Sequence, residues 1–234
     1  MTFKDSKKVK DYFNDYAKNY DKLAFNESLG LNYVSDFEIS KLYKYKDLKI
    51  LDLGFGTGRN SSILAKQGCL INGIDISEKM IESGIKKIPK NKIGKIVVSD
   101  LNKKLPFKEG FDMILCFRVL KYLKNWENVF KESARLLKKN GTFVLEFSNK
   151  TSVQSFGAPF SHYSTFFINQ IKLIGKKYNF KVDNIYGGSI LPLPLYRKIK
   201  TERGIRIIHF FEQMLKFFKP TFSRNVIIEF KKVI

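Results

Sequence analysis

The sequence predicts an α/β protein built on a doubly wound parallel sheet, and three observations lead there. Lys49 to Gly68 reads as strand, glycine turn and helix. Ile71 to Ser77 adds a second apolar strand that ends in an acid, Asp75. Apolar segments near 94–99, 111–117 and 141–147 then continue to alternate with helical phases. Strands and helices alternating at these lengths cover both faces of a parallel sheet.

The elements can be justified in chain order. Val9 to Tyr20 and Leu29 to Tyr43 carry helical periodicity and are expected to lie over the mouth of the sheet. Ile50, Leu51 and Leu53 form an apolar run that stops at Gly54, Gly56 and Gly58, after which Ile63, Leu64 and Gly68 follow a helical phase. Such a turn lets a ligand approach the backbone, and an acid about 20 residues later can grip ribose hydroxyls from the next strand. Lys138 and Lys139 before Gly141 predict a basic helix end with a glycine stop. Beyond Phe147 the expectation is a loop from Ser148 to Ser161, a helix at Thr165 to Tyr178, a strand at Phe180 to Ile185, and a last strand at Asn225 to Val233. A long insertion separates those two strands.

At 234 residues the chain can bury one sizeable core, and no Pro- or Ser-rich linker divides it. We read residues 1–234 as one domain, with a helical lid at 1–45, a nucleoside-binding core at 46–150, and acceptor-side elements at 151–234 that include the insertion 187–220. The N-terminus lacks the apolar run of a secretory signal, and no apolar stretch approaches the ~20 residues of a membrane span. A cytoplasmic protein is expected, with peripheral contact at the inner membrane surface as the alternative. Cys69 and Cys116 sit in apolar strand contexts and read as small buried hydrophobes, not as a disulfide, a metal site or a nucleophile.

The glycine spacing narrows the ligand. A dinucleotide fingerprint places its third glycine at position 59, where this chain has Arg59. With Asp52 the text becomes D-x-G-x-G-x-G, which resembles motif I of the class I S-adenosylmethionine-dependent methyltransferases. Gly73 to Met80 looks like that family's second motif, and Val97 to Phe147 follows its later strands and helices in order, so the resemblance covers roughly residues 45 to 150. Val9 to Leu23 resembles the N-terminal helix of the branch that includes ubiquinone and menaquinone biosynthesis methyltransferases.

The resemblance implies a Rossmann-like seven-stranded sheet with a reversed last strand, for which Val226 to Phe230 is the candidate, and S-adenosylmethionine as cofactor. It implies that Asp52, Gly54, Gly56 and Gly58 surround the methionine portion, that Asp75 takes the ribose hydroxyls, and that Ile76 and Met80 sandwich the adenine. Asp100 and the Leu101 backbone would read the adenine amino edge, and Tyr12 or Tyr20 would lid the methionine end. Plainer roles stand beside these: Asp75 or Ser77 as a helix cap, Asp100 as a turn residue, Met80 as helix core. Arg118 and Lys121 fall where related enzymes carry polar substrate-side residues. Lys121 departs from the histidine common there and points to an anionic or carbonyl-bearing acceptor. His162 is the candidate general base if the acceptor is a hydroxyl, with a structural role as the alternative.

Three functional readings follow: methyl transfer to a small-molecule or lipid-like acceptor, RNA methylation, and a catalytically silent cofactor-binding partner. The net charge of +21 favours nucleic acid. Against it, lysine is spread evenly among abundant Ile, Asn, Phe and Tyr, as an AT-rich genome produces without any partner. Arginine, the better phosphate fork, is sparse, and no Asn-Pro-Pro-Tyr-type motif follows the fourth strand. In the insertion, Ile207, Ile208, Phe211, Met214, Leu215 and Phe218 mark one helix face, opposite Arg206, His209, Gln213 and Lys216. That face suits packing on the sheet, a homodimer contact in place of a monomer, or a membrane-surface lip with Arg197, Lys198, Lys200 and Arg203.

Overall fold

The computed structural model describes residues 5–26, 28–153 and 164–233. Helix α1, Ser6–Tyr16, starts where the Asp5 carboxylate accepts from Lys7 N at 2.8 Å. The expected continuation to Tyr20 instead tightens into a 3-10 turn, Ala17–Asn19, and then loosens into a π turn, Lys22–Asn26. Helix α2, Leu29–Ser40, is capped by Ser28. The core then alternates as β1 (Lys49–Leu53), α3 (Arg59–Lys66), β2 (Leu70–Asp75), α4 (Glu78–Ile85), β3 (Ile93–Val98), β4 (Phe111–Cys116), α5 (Glu127–Leu136) and β5 (Leu137–Ser148). After α6 (Ile168–Lys177) and β6 (Phe180–Gly187) come the insertion helices α7 (Leu193–Lys198) and α8 (Glu202–Met214), and finally β7 (Asn225–Lys232).

The strands form one seven-stranded sheet in the order β3-β2-β1-β4-β5-β7-β6, with β7 antiparallel to both β5 and β6. This is the doubly wound sheet with a reversed last strand. Side chains alternate between its faces, as the two-residue period of a strand requires. Leu51, Ile114, Phe143 and Ile228 enter one buried cluster, while their neighbours Ile50, Met113, Val144 and Ile227 enter the other. Aromatic rings fill the first cluster, with Phe143 5.4 Å from Phe130 and 5.5 Å from Phe180 between centroids.

Two expectations are corrected. Helix α5 ends at Leu136 with extended backbone at Leu137, so Lys138, Lys139 and Gly141 belong to β5 and do not cap a helix. Burial of Leu137 opposite Phe111 decides this, and Lys138 instead reaches Asp112 at 2.6 Å. The second concerns one of the three readings of α8, packing of its apolar face on the sheet: the helix turns Ile208 and Glu212 inward and leaves Ile207, Phe211, Met214 and Phe218 exposed.

The inward face of α8 is set by a buried acid. Glu212, 1% exposed in its side chain, accepts from Ile190 N at 2.9 Å, Leu191 N at 3.1 Å and the Tyr196 hydroxyl, and pairs with Lys219 at 2.8 Å. Tyr196 in turn presses on α2: its carbonyl accepts from Ser28 at 3.0 Å, and a Cβ on Gly30 would lie 2.1 Å from that oxygen. The insertion therefore packs on the lid helix α2.

Burial pushes the Glu212 carboxyl up, but the bonds from Lys219, Tyr196 and Leu191 outweigh it and hold it below the usual range. A depressed carboxyl contributes stability that is complete above the unfolded value near 4.3 and is lost as pH falls through the folded one. Glu212→Ala, which strands Lys219 and two buried N–H groups, should lose about 3–5 kcal/mol at pH 7, with the deficit shrinking below about pH 4. Urea denaturation at both pH values tests this, and equal midpoints at pH 7 would refute it.

Candidate functional site

Beyond the carboxyl end of β1 the backbone enters the left-handed region at Gly54, Gly56 and Gly58, with φ of +83°, +53° and +66°. The three glycines answer to different constraints. A Cβ on Gly54 would meet Val119 Cγ2 at 2.1 Å, and one on Gly58 would meet the Gly84 carbonyl oxygen of α4 at 2.9 Å. One on Gly56 finds no protein atom nearer than the Gly54 oxygen at 3.8 Å, so it would enter open cleft. Gly58 thus lets the turn pack closely against α4.

Three acids converge on this turn. Asp75, at the end of β2, accepts from Gly56 N at 2.7 Å through one oxygen and from Ser77 N at 2.8 Å through the other. An ionised carboxylate has about four lone-pair sites, so each oxygen retains capacity toward the cleft. Burial raises the Asp75 carboxyl, opposed by the N–H groups of Ser77, Gly56 and Ile76. Asp52, buried and lining an adjoining pocket with Gly54, Gly56 and Arg118, is pushed up to about 7 by burial and by the charge of Asp75, with Ser61 donating to it at 2.7 Å. Asp100 accepts from Ser6 of α1 at 2.7 Å and from Asn102 N at 2.8 Å. Burial pushes Asp100 up, but those bonds outweigh it and hold it below the usual range.

Gly54, Gly56, Asp75, Ile76, Met80, Asp100 and Leu101 line one cleft that encloses about 680 Å³ of non-atom space, its open mouth included. Helix α1 and the turn after it roof the cleft with Val9, Phe13 and Tyr20, and Phe117, Arg118, Val119 and Tyr122 close the far side. Tyr12 does not line it. Its ring stacks on Tyr16 at 5.4 Å, while Phe13, one position on, turns inward to meet Tyr122 at 5.1 Å. His162 lies outside the described residues. His209 faces Tyr33, whose hydroxyl is 3.1 Å from its Nδ1, and does not line the cleft.

The far side holds a buried charge cluster that sequence reasoning found only in part. Arg118, with φ of +63°, grips both oxygens of Glu38 from α2 at 2.9 Å, while its N–H donates to Glu146 of β5 at 2.6 Å. Burial opposes the Arg118 charge, but Glu38 outweighs it and raises the guanidinium further. Lys121 is pushed down to about 8 by burial, and Arg118 and Arg224 add to this against the pull of Glu146. Burial raises Tyr20 to about 12, with Arg118 opposing. Glu38 was missed, yet it falls four residues after Val34 on the buried stripe of α2, where an acid demands a partner. Arg224, just ahead of β7, was missed because no local pattern marks it.

Comparison with known proteins agrees with this geometry. Residues 51–145 match the family described as a methyltransferase domain. Over that segment the chain is similar to methyltransferases. It is 35% identical over 121 residues to a ubiquinone biosynthesis O-methyltransferase of Pelagibacter ubique, covering 51% of this chain and 50% of that protein. It is 30% identical over 164 residues to a demethylmenaquinone methyltransferase of Tropheryma whipplei, covering 67% and 65%. The chain thus spans between half and two thirds of the length of these relatives. Its fold is similar to that of a magnesium protoporphyrin IX methyltransferase from Synechocystis with bound SAH, with a TM-score of 0.67 at 18% identity over 97% of this chain and 99% of that one.

The separate constraints on the glycines can be tested. Gly54→Ala combines a left-handed backbone with a collision against a stiff side chain and should lose about 2–4 kcal/mol. Gly56→Ala should lose only the backbone share, about 1–2 kcal/mol. Adding Val119→Ala to Gly54→Ala should recover part of the loss. Thermal or urea unfolding of the three variants checks the order, and Gly56→Ala as the least stable would contradict it.

Proposed function

We propose that the chain binds S-adenosylmethionine in the cleft above β1, β2 and β3 and transfers its methyl group to a small-molecule or lipid-like acceptor. The observation that carries this reading is the placement of Asp75 and Asp100 at adjacent strand ends, in one cleft with the open position at Gly56 and the apolar walls Ile76, Met80 and Leu101. The cofactor supplies a methyl carbon activated by a sulfonium, which an acceptor nucleophile takes in line as the carbon–sulfur bond breaks toward sulfur. The residues mainly align the two partners. Asp75 holds the ribose hydroxyls with its remaining lone pairs, Asp100 and the Leu101 backbone face the adenine edge, and Ile76 and Met80 flank the ring. Asp52 and the glycine turn lie toward the methionine portion, whose ammonium favours an ionised Asp52.

The acceptor side of the cleft runs from Phe13, Val119, Tyr122 and Leu123 to Arg118, an apolar wall with a cationic end. Such a wall suits a ring or isoprenoid-like body carrying a polar or anionic head. The names of the relatives point the same way, toward quinone precursors. Lys121 favours an anionic or carbonyl-bearing head, and His162 is the proposed base where the accepting atom is a hydroxyl.

Asp75→Ala should weaken S-adenosylmethionine by about 2–4 kcal/mol, since two charge-assisted hydrogen bonds are lost and water compensates in part. Calorimetry on a variant with an unchanged circular dichroism spectrum tests this, and unaltered affinity would move the nucleoside elsewhere. The pH dependence carries a second sign. Asp52 must release a proton when the ammonium arrives, so affinity should rise with pH through about 7. Asp52→Asn should flatten that profile.

A further inference from the structure

Helix α8 and the 3-10 turn that follows it, Leu215–Phe218, present an apolar ledge to solvent. Phe210 is 61% exposed, Met214 61% and Phe217 86%, with Phe211 and Phe218 about half exposed beside them. The ledge arises because Glu212 is the inward anchor of α8: with Ile208 and Glu212 fixed inside on one face, Phe210 and Met214, each two residues further on and so roughly 200° around the helix, must point out. A basic rim adjoins it. Arg203 and Arg206 line one open groove together with Ile207 and Phe210, and Lys216 sits 5.6 Å from the centre of the Phe217 ring. Arg197, Lys198 and Lys200 are exposed on the neighbouring α7 and its exit, and between residues 193 and 219 the exposed acid is Glu202 alone.

We infer that this ledge docks on an anionic lipid bilayer, with the Phe210, Met214 and Phe217 side chains entering the headgroup boundary and Arg203, Arg206 and Lys216 meeting the phosphates. Charge and shape select this occupant. A contact between two copies would set the same cationic rim against itself, whereas an anionic headgroup layer neutralises it and the acyl boundary accepts the rings. The ledge stands on α2, which carries Glu38 and through it Arg118 of the cleft wall, so membrane contact and the acceptor end of the cleft share one helix. Docking does not depend on which acceptor is methylated.

Vesicle sedimentation of the full chain is the test, with phosphatidylcholine vesicles containing one third phosphatidylglycerol against pure phosphatidylcholine at low salt. Binding to the anionic vesicles and little to the neutral ones is expected. Each basic side chain at an anionic surface contributes about fivefold, so Arg203→Glu/Arg206→Glu should weaken binding by about 30-fold or more. The control Lys90→Glu/Lys104→Glu, with the same change in net charge at the distant β3 edge, should stay within about threefold of the parent, because those charges are not held at the surface. Phe210→Ser/Phe217→Ser, at positions already exposed, should weaken binding about tenfold or more. No binding at low salt would overturn the inference. So would equal losses from the two charge-reversed pairs, or a dimer in sedimentation velocity that Phe210→Ser/Phe217→Ser dissolves while vesicles are ignored.

Discussion

β2 and β4 lie on opposite sides of β1, so the connections leaving β1 and β4 part above the sheet and open a crevice at its carboxyl edge. Everything at the site depends on how closely the chain can turn there. Gly54 must clear Val119, Gly58 must clear α4, and Gly56 must leave room for whatever enters the cleft. The turn is then locked to β2 by N–H groups of Gly54 and Phe55 on the Ile74 carbonyl, each at 2.8 Å, and by Gly56 on Asp75. A carboxylate that would be poorly solvated in this crevice is thus held ionisable by backbone donors, and the same donors fix the shape of the turn.

Electrostatically the protein is two-sided. Its surface is coated with lysine, yet Asp75 and Asp100 line the crevice with Asp52 in the adjoining pocket, and behind them Glu38 and Glu146 face Arg118 and Lys121. Such an interior suits a cationic cofactor in front and a polar or anionic group behind. The lid takes part in the same chemistry. Ser6 donates to Asp100, Asn14 accepts from Ser77 at 2.7 Å, and Asp21 receives Thr57 of the glycine turn and pairs with Lys87, so the roof is fastened by the very elements that form the floor.

What could be read from the sequence was what is local. The run from β1 through the glycines and α3 to Asp75 is a spacing problem within one crossover, and Asp100 and Arg118 occupy the matching positions after the next two parallel strands. Glu38 could be marked as an acid on a buried stripe but not paired, because its partner lies 80 residues away and neither residue predicts the other. Tyr12 and Phe13 are adjacent, and only the pitch of α1 over the cleft decides which turns inward. Which of its possible roles the apolar face of α8 takes could not be read either, for a related reason. Hydrophobic periodicity assumes that the apolar stripe is the buried one, and here a buried acid with several donors overrides it.

The position of β7 has a consequence for how the chain is made. β5, which carries Glu146, pairs on one side with β4, which precedes it in the chain, but its other edge belongs to β7, where Thr142 meets Lys231 from 89 residues later. β6 emerges first and cannot take that edge, because β7 seats between them. Until β7 arrives, both β5 and β6 carry open edges rich in Phe, Val and Ile, a template for pairing with other nascent chains. One late strand therefore closes two inner edges at once, and in the finished sheet only the outer edges of β3 and β6 stay open.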